Sequence, residues 1–217
     1  HAFLDLSPGL DFETKLFFKT NIVQRLEEAW ARPSYQPKPL ALGTNTDPYQ
    51  PIEKSKKITR QILQLALQHR HPVSIVTKGS LILRDLDLLT ALASLNLVQV
   101  YISVTTLDKD LKIKLEPRTA SPGMRLQMIQ QLAAASIPVG AMVAPLIPFV
   151  NDHELEDIVA AVAGAGAGRA GYILLRLPLE VAQLFEEWLE VHMPERAERV
   201  MKAVQSMRGG KVYESRW

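Results

Sequence analysis

The sequence predicts an α/β fold, a partial barrel of parallel strands each followed by a helix. Three observations carry this reading. Short, β-branched apolar runs alternate with helix-length segments of 3.6-residue periodicity. The runs are nearly continuous in apolar residues, as strands covered by helices or enclosed in a barrel are. Polar residues gather where the runs end. The 217 residues hold 25 Lys plus Arg against 23 Asp plus Glu, a formal charge of +2, and 47% are apolar. A chain of this size buries one large core, so one domain over residues 1–217 is expected. Its mild charge predicts no strong nucleic-acid footprint. No apolar run is long enough to span a membrane, and no basic stretch precedes an apolar leader. With no cysteine, the chain holds neither a disulfide nor a thiolate-bound metal.

Each element follows in order. Lys15 to Lys19 (KLFFK) reads as a short extra strand and Ile22 to Trp30 as a helix. Pro39 to Gly43 is the first of five strand runs and stops at Thr44-Asn45-Thr46-Asp47-Pro48. Ile52 to Arg70 is helical, with Ile58, Ile62, Leu65 and Ala66 on one face. Val73 to Lys78 is the second run, followed by Gly79, and Asp85 to Leu95 is its helix. Val98 to Thr106 is the third; a long loop containing Glu116-Pro117-Arg118 leads to a helix over Gly123 to Ala135. Pro138 to Ile147 is the fourth. Its helix, Asp152 to Ala163, has Asn151 or Asp152 as cap, with Glu154 and Glu156 in the first turn, where the helix dipole favours acid. Ala170 to Leu177 is the fifth run, and Glu180 to Met207 forms two helices broken at Met193-Pro194. Such units join by right-handed crossovers. A barrel wall is preferred to a doubly wound sheet because no glycine-rich phosphate turn follows the first run.

In both architectures the site lies at the C-terminal ends of the strands. Thr44 to Asp47, Lys78, Ser103 with Thr105 and Thr106, and Arg176 gather there. Lys78 reads as a Schiff-base nucleophile or as an anchor for a ligand carboxylate, against a lysine merely solvated at a strand exit. Thr44 to Asp47 supplies hydroxyl, amide and carboxylate groups, or else an Asx-turn that ends the strand. Arg118 suits a carboxylate or phosphate, although an exposed loop arginine is the commoner case. Gly164 to Gly168 closes a helix instead of opening one, so it is a connection and not a nucleotide loop. His69 and His71 are read as surface histidines at a helix end, not as a metal pair, and His1, His153 and His192 form no pattern. Only Asp47 places a carboxylate at a strand end, which excludes paired-carboxylate glycoside chemistry. Aromatics do not interleave with a basic groove as in single-strand binders.

The strings DLSPGLDFETKLFFK, LGTNTDPYQPIE, PVSIVTKGSLILRDLDLL, YISVTTLD, LEPRTASPGMRL, IPVGAMVAPLIPFVND and GYILLRLP run in order along the chain. Together they resemble the radical S-adenosylmethionine proteins related to spore photoproduct lyase, in the branch labelled DNA-repair-photolyase-like. The resemblance implies a TIM-like partial (βα)6 barrel whose strand tops bind a [4Fe-4S] cluster and S-adenosylmethionine. An iron free of cysteine chelates the methionine amino and carboxylate groups. Reductive cleavage of a carbon–sulfur bond then yields a 5′-deoxyadenosyl radical that takes hydrogen from a substrate. By position, Thr44, Asn45, Thr46 and Asp47 match the loop that contacts the amino group, and Lys78 matches a lysine that reaches the carboxylate. Ser103 and Thr105 match polar positions near the ribose, Val143 and Ala144 border the adenine, and Leu175 lies on the sixth strand. No catalytic side chain is assigned.

Two departures stand out. The family's cluster ligands, Cys-x3-Cys-x2-Cys, are absent and match a position before His1, as does a first strand; relatives also continue past Tyr213 to Trp217. The expectation is a chain cut at both ends, inactive in this chemistry without its cysteines. In addition, spore photoproduct lyases carry a hydrogen-donor cysteine near Thr44, which is no thiol, so a pyrimidine-dimer lyase using that donor is not implied. What remains is a cytoplasmic enzyme acting on nucleic acid, reduced by a flavodoxin or ferredoxin. The competing readings are a Schiff-base lyase or aldolase using Lys78, and a cluster-less module that binds S-adenosylmethionine.

Overall fold

Every strand is hydrogen-bonded to its neighbour in sequence. The computed structural model describes residues 15–178, 180–207 and 209. The strands β1 (Leu40–Leu42), β2 (Val73–Thr77), β3 (Val98–Ser103), β4 (Val139–Leu146) and β5 (Ala170–Leu174) form one sheet in the order 1-2-3-4-5. Leu40 pairs with Val73, Val73 with Val98 and Val100 with Val139, all parallel. Gly168 N–H to Val139 O (3.0 Å) and Ala141 N–H to Arg169 O (2.9 Å) join β4 to β5. The order never reverses, so the sheet has no switch point of the doubly wound kind and follows the sequence of a barrel wall. All five runs expected from the sequence are strands, and the fold is α/β.

The helices are α1 (Ile22–Trp30), α2 (Glu53–Lys56), α3 (Ile58–Gln68), α4 (Leu86–Ser94), α5 (Lys109–Leu115), α6 (Pro122–Ala134), α7 (Leu155–Gly164), α8 (Val181–His192) and α9 (Ala197–Ser206). The chain divides into two compact units. The larger, Thr20–Ala144 with Glu154–Ile173, buries Val73, Ile75, Val100 and Ile102 from the sheet. Leu63 and Ala66 of α3, Leu89 and Leu92 of α4, Met128 and Leu132 of α6 and Ile158 of α7 complete its core. The smaller contains Pro145–His153 and the chain from Leu174 onward, with Ile147, Leu189, Val200 and Val204 buried.

Four local expectations are corrected. Residues 15–19 form no strand, and Phe17 is exposed. The helix read as continuous from Ile52 to Arg70 breaks at Lys57, whose φ of 53° lies in the left-handed region. There the Glu53 carboxylate accepts from Thr59 N–H (3.1 Å) and Arg60 N–H (3.3 Å), satisfying the first turn of α3 from outside it. The loop after β3 contains α5: Leu-Lys-Ile-Lys-Leu alternates with the period of a strand, but the Asp108 cap sets a helix there. Its carboxylate accepts from Asp110 N–H (2.7 Å) and Leu111 N–H (3.1 Å). Finally, neither Asn151 nor Asp152 caps α7; a short 3-10 turn (Asp152–Glu154) precedes it, and Asn151 is buried on Ile147 N–H and Pro145 O.

The exit of β1 lies tight against β2. Gly43 has φ +96°, and a Cβ there would sit 1.9 Å from Val76 O. A Cβ on Gly79 would meet Tyr49 Cβ and O at 2.9 Å. Two glycines therefore let the Thr44 to Tyr49 loop fold onto the end of its neighbour strand.

Candidate active site at the strand ends

Asp47 spends both carboxylate oxygens on this loop. Oδ1 accepts from Tyr49 N–H (2.8 Å) and from the Thr77 hydroxyl (2.6 Å), and Oδ2 accepts from Lys78 N–H (2.9 Å). The bond to Tyr49 is an Asx-turn, and the other two tie the exit of β1 to the exit of β2. Thr44, Asn45 and Thr46 are exposed.

Lys78 is not a solvated lysine. Its side chain is 32% exposed and ion-paired with Glu116, which is 11% exposed. The second oxygen of Glu116 accepts from Arg125 Nη2 (2.5 Å), and Arg125 is 2% exposed. Arg125 also donates to Ser103 O (3.1 Å), Ala120 O (3.0 Å) and the Thr119 hydroxyl (2.7 Å). One continuous path, Lys78–Glu116–Arg125–Ser103, thus links the ends of β2 and β3. Burial pushes the Glu116 carboxyl up, but the charges and hydrogen bonds of Lys78 and Arg125 outweigh it and hold the group below its ordinary value. A Schiff-base lysine is activated by desolvation or a neighbouring cation. Lys78 has a carboxylate partner instead, the environment of an anchor.

Ser103 and Thr105 are buried, and the Thr105 hydroxyl donates to Ala144 O (3.4 Å), so two of the expected positions meet directly. Val143 is buried and Ala144 half-buried. The Thr106 hydroxyl donates to Glu154 Oε1 (2.5 Å), while Glu154 Oε2 accepts from Leu107 N–H (2.7 Å) and Asp108 N–H (3.2 Å). Glu154 therefore acts on the exit of β3; it ends the 3-10 turn, outside the first turn expected for it, and makes no side-chain cap bond to α7. Leu175 belongs to the smaller unit, where it is buried and its N–H donates to Leu146 O (2.9 Å); Arg176, half-buried, lies in that unit too. Arg118 is exposed.

Beneath the loop, Glu53 and Asp85 are buried and held by arginines. Arg84 reaches both, at 2.9 and 2.8 Å, and Arg60 bonds Asp85 at 2.9 Å and Asp87 at 2.7 Å. Tyr49 is buried beside them, and its hydroxyl lacks a hydrogen-bond partner among the described residues. Burial and the Asp85 charge together push that phenol up.

His71 overturns the surface reading. It is 3% exposed, stacked on Trp30 (4.0 Å, 7°) and within 2.7 Å of the Tyr35 hydroxyl, whereas His69 is exposed. Its signal was a period of two: His71, Val73, Ile75 and Thr77 share a buried face. His153 and His192 are exposed, and His1 lies outside the described residues. Among the described residues no three His, Asp or Glu side chains form a metal site. Gly164 to Gly168 connects α7 to β5, with Gly166 at φ +101°.

Glu116 and Arg125 were missed as a pair. Arg125 occupies the buried stripe of α6 with Met128, Ile129 and Leu132, at i, i+3, i+4 and i+7. A cation on an apolar stripe demands a buried acceptor, and the acid at the preceding loop was the candidate.

The sequence profile of the Radical SAM superfamily matches residues 21–162, and the chain belongs to that superfamily. An uncharacterised protein of Mycobacterium tuberculosis is 35% identical over 201 residues, covering 92% of this chain and 59% of that one. One of Methanocaldococcus jannaschii is 31% identical over 154 residues, covering 71% and 56%. The chain thus spans somewhat over half the length of these relatives. Among solved structures, spore photoproduct lyase complexed with dinucleoside spore photoproduct shares the fold at a TM-score of 0.59 and 13% identity, over 88% of this chain and 64% of that one. A variant of that enzyme with bound AdoMet and the same dinucleoside gives 0.56 at the same identity and coverage.

Proposed function

We propose that this chain is the S-adenosylmethionine-binding part of a radical enzyme, with the ligand at the C-terminal ends of β1 to β4. The observation that carries the reading is Lys78, oriented by a buried acid beside the exposed Thr44, Asn45 and Thr46. An ammonium facing a carboxylate, next to hydroxyl and amide groups facing an amine, is complementary to the methionine end of the ligand. Ser103, Thr105, Val143 and Ala144 supply hydroxyls and an apolar wall suited to ribose and adenine. Asp47 serves by shaping the loop, since its oxygens are occupied.

When bound and reduced by one electron, S-adenosylmethionine supplies a 5′-deoxyadenosyl radical that abstracts hydrogen. The [4Fe-4S] cluster that delivers the electron does not fit the residues of this chain, which has no cysteine and, among its described residues, no substitute metal site. No step is therefore assigned to it through these residues; in this reading its ligands and its flavodoxin or ferredoxin donor lie outside them. The substrate class is a nucleic acid, supported by the dinucleoside photoproduct bound to the spore photoproduct lyases of the same fold. No helix among the described residues is long and apolar enough to cross a membrane.

The test uses the complete encoded protein, reconstituted with iron and sulfide without oxygen and then reduced. It should form 5′-deoxyadenosine from S-adenosylmethionine, at a rate raised by an oligonucleotide substrate. Lys78→Ala should lower that rate at least about tenfold, the cost of one charged contact. No product from a protein that demonstrably carries its cluster would overturn the reading.

A further inference from the structure

Long lysine side chains have rotamer freedom to lose when they bind. Lys78 has already lost much of it: Glu116 accepts one of its three N–H groups, and the other two have no partner among the described residues. Glu116 is itself fixed at both ends. Its N–H donates to Lys112 O (2.8 Å), its carbonyl accepts from Thr119 N–H (3.2 Å) and the Thr119 hydroxyl (2.9 Å), and its carboxylate is clamped by Arg125. Arg125 is anchored in turn on the carbonyls of Ser103 and Ala120. The cluster contains two cations, Lys78 and Arg125, against one anion, Glu116, while the nearby Asp47 carboxylate keeps its own charge and accepts from three neutral donors. A second carboxylate at the Lys78 ammonium therefore brings the Lys78–Glu116–Arg125 group to neutrality.

We propose that Glu116, clamped by Arg125, is a positioning residue that aims the Lys78 ammonium at the ligand's carboxylate and makes the site select a ligand that carries one. This rests on the S-adenosylmethionine reading and deepens it. Glu116 touches no reacting atom; it acts through Lys78. The selectivity follows because the two remaining N–H groups are presented in a fixed direction, so their ordering cost is met on folding and not on binding.

The probes are S-adenosylmethionine and its decarboxylated analogue, which lacks only the carboxylate. Their dissociation constants would be measured on the full-length, cluster-loaded, unreduced protein. In Glu116→Gln, binding of S-adenosylmethionine should weaken about tenfold, while the analogue should bind within about twofold of the parent. Lys78→Gln, which leaves Glu116 on Arg125, should reduce the same discrimination at least about tenfold, and adding Glu116→Gln to it should change nothing further. Independently of ligand, acylation of Lys78 by acetic anhydride, read by mass spectrometry, should speed up severalfold in Glu116→Gln.

Equal weakening of both ligands would make Glu116 merely structural and overturn the proposal. So would unchanged S-adenosylmethionine binding in Glu116→Gln, or an unchanged acylation rate. In those cases the parent still binds S-adenosylmethionine, so the reading beneath stands. A parent that binds neither ligand overturns both.

Discussion

His71 shows how a single side chain carries a pH dependence. Burial, the main cause, and the neighbouring His69 lower its pKa below 6.5, against a smaller opposing effect of the Pro72 carbonyl. The folded chain thus prefers the neutral ring, while the unfolded chain takes up a proton near pH 6.5. Its contribution to stability is complete above about 6.5 and is lost as the pH falls below it towards the folded-state value. We expect the parent to melt at a lower temperature at pH 5.5 than at pH 7.5. His71→Phe keeps a ring on Trp30 and should show a smaller difference, as calorimetry at the two pH values would reveal; an equal difference would remove His71 from the account. At this scale the sequence was least legible. Lys78 and Asp47 stand out because strand ends are predictable, but what each bonds to depends on Glu116 and Arg125, far from Lys78 in sequence. Spacing locates a charged residue and says nothing of its partner.

Strands and long helices were legible because their periodicity is local. The five runs end within a few residues of their predicted limits, and α6, read as Gly123 to Ala135, spans Pro122–Ala134. The failures share a cause: a few residues whose conformation is set by a long-range contact. Lys57 takes a left-handed conformation that Glu53 makes tolerable from across the break. KLFFK has the composition of a strand but pairs with none. Gly43 is the element-level feature most open to test. A methyl group there would collide with the Val76 carbonyl, and φ +96° is itself adverse to any side chain. Gly43→Ala should cost about 2–4 kcal/mol in urea unfolding. A loss below about 0.5 kcal/mol would mean the Thr44 to Tyr49 loop does not lie against β2 as described.

For the molecule as a whole, the sheet's order leaves β1 and β5 as its outer strands. β5 is poorly covered, with Tyr172 59% and Ile173 37% exposed. An exposed apolar edge strand is a template for unwanted pairing. Ile173→Lys should lower self-association in light scattering and leave thermal stability within about 0.5 kcal/mol; a large loss of stability would show that this strand is packed rather than exposed. The fold class was legible because it needs only the order of strands and helices. The division into two units was not, since each gathers segments distant in sequence. The Asp47 bonds carry one more consequence. They tie the Thr44 to Tyr49 loop to the end of β2, so a chain that has lost the pairing of β1 with β2 also loses the fold of that loop. Under the proposed function, S-adenosylmethionine would protect only fully paired molecules, by about 2.7 kcal/mol at a hundredfold excess over its dissociation constant.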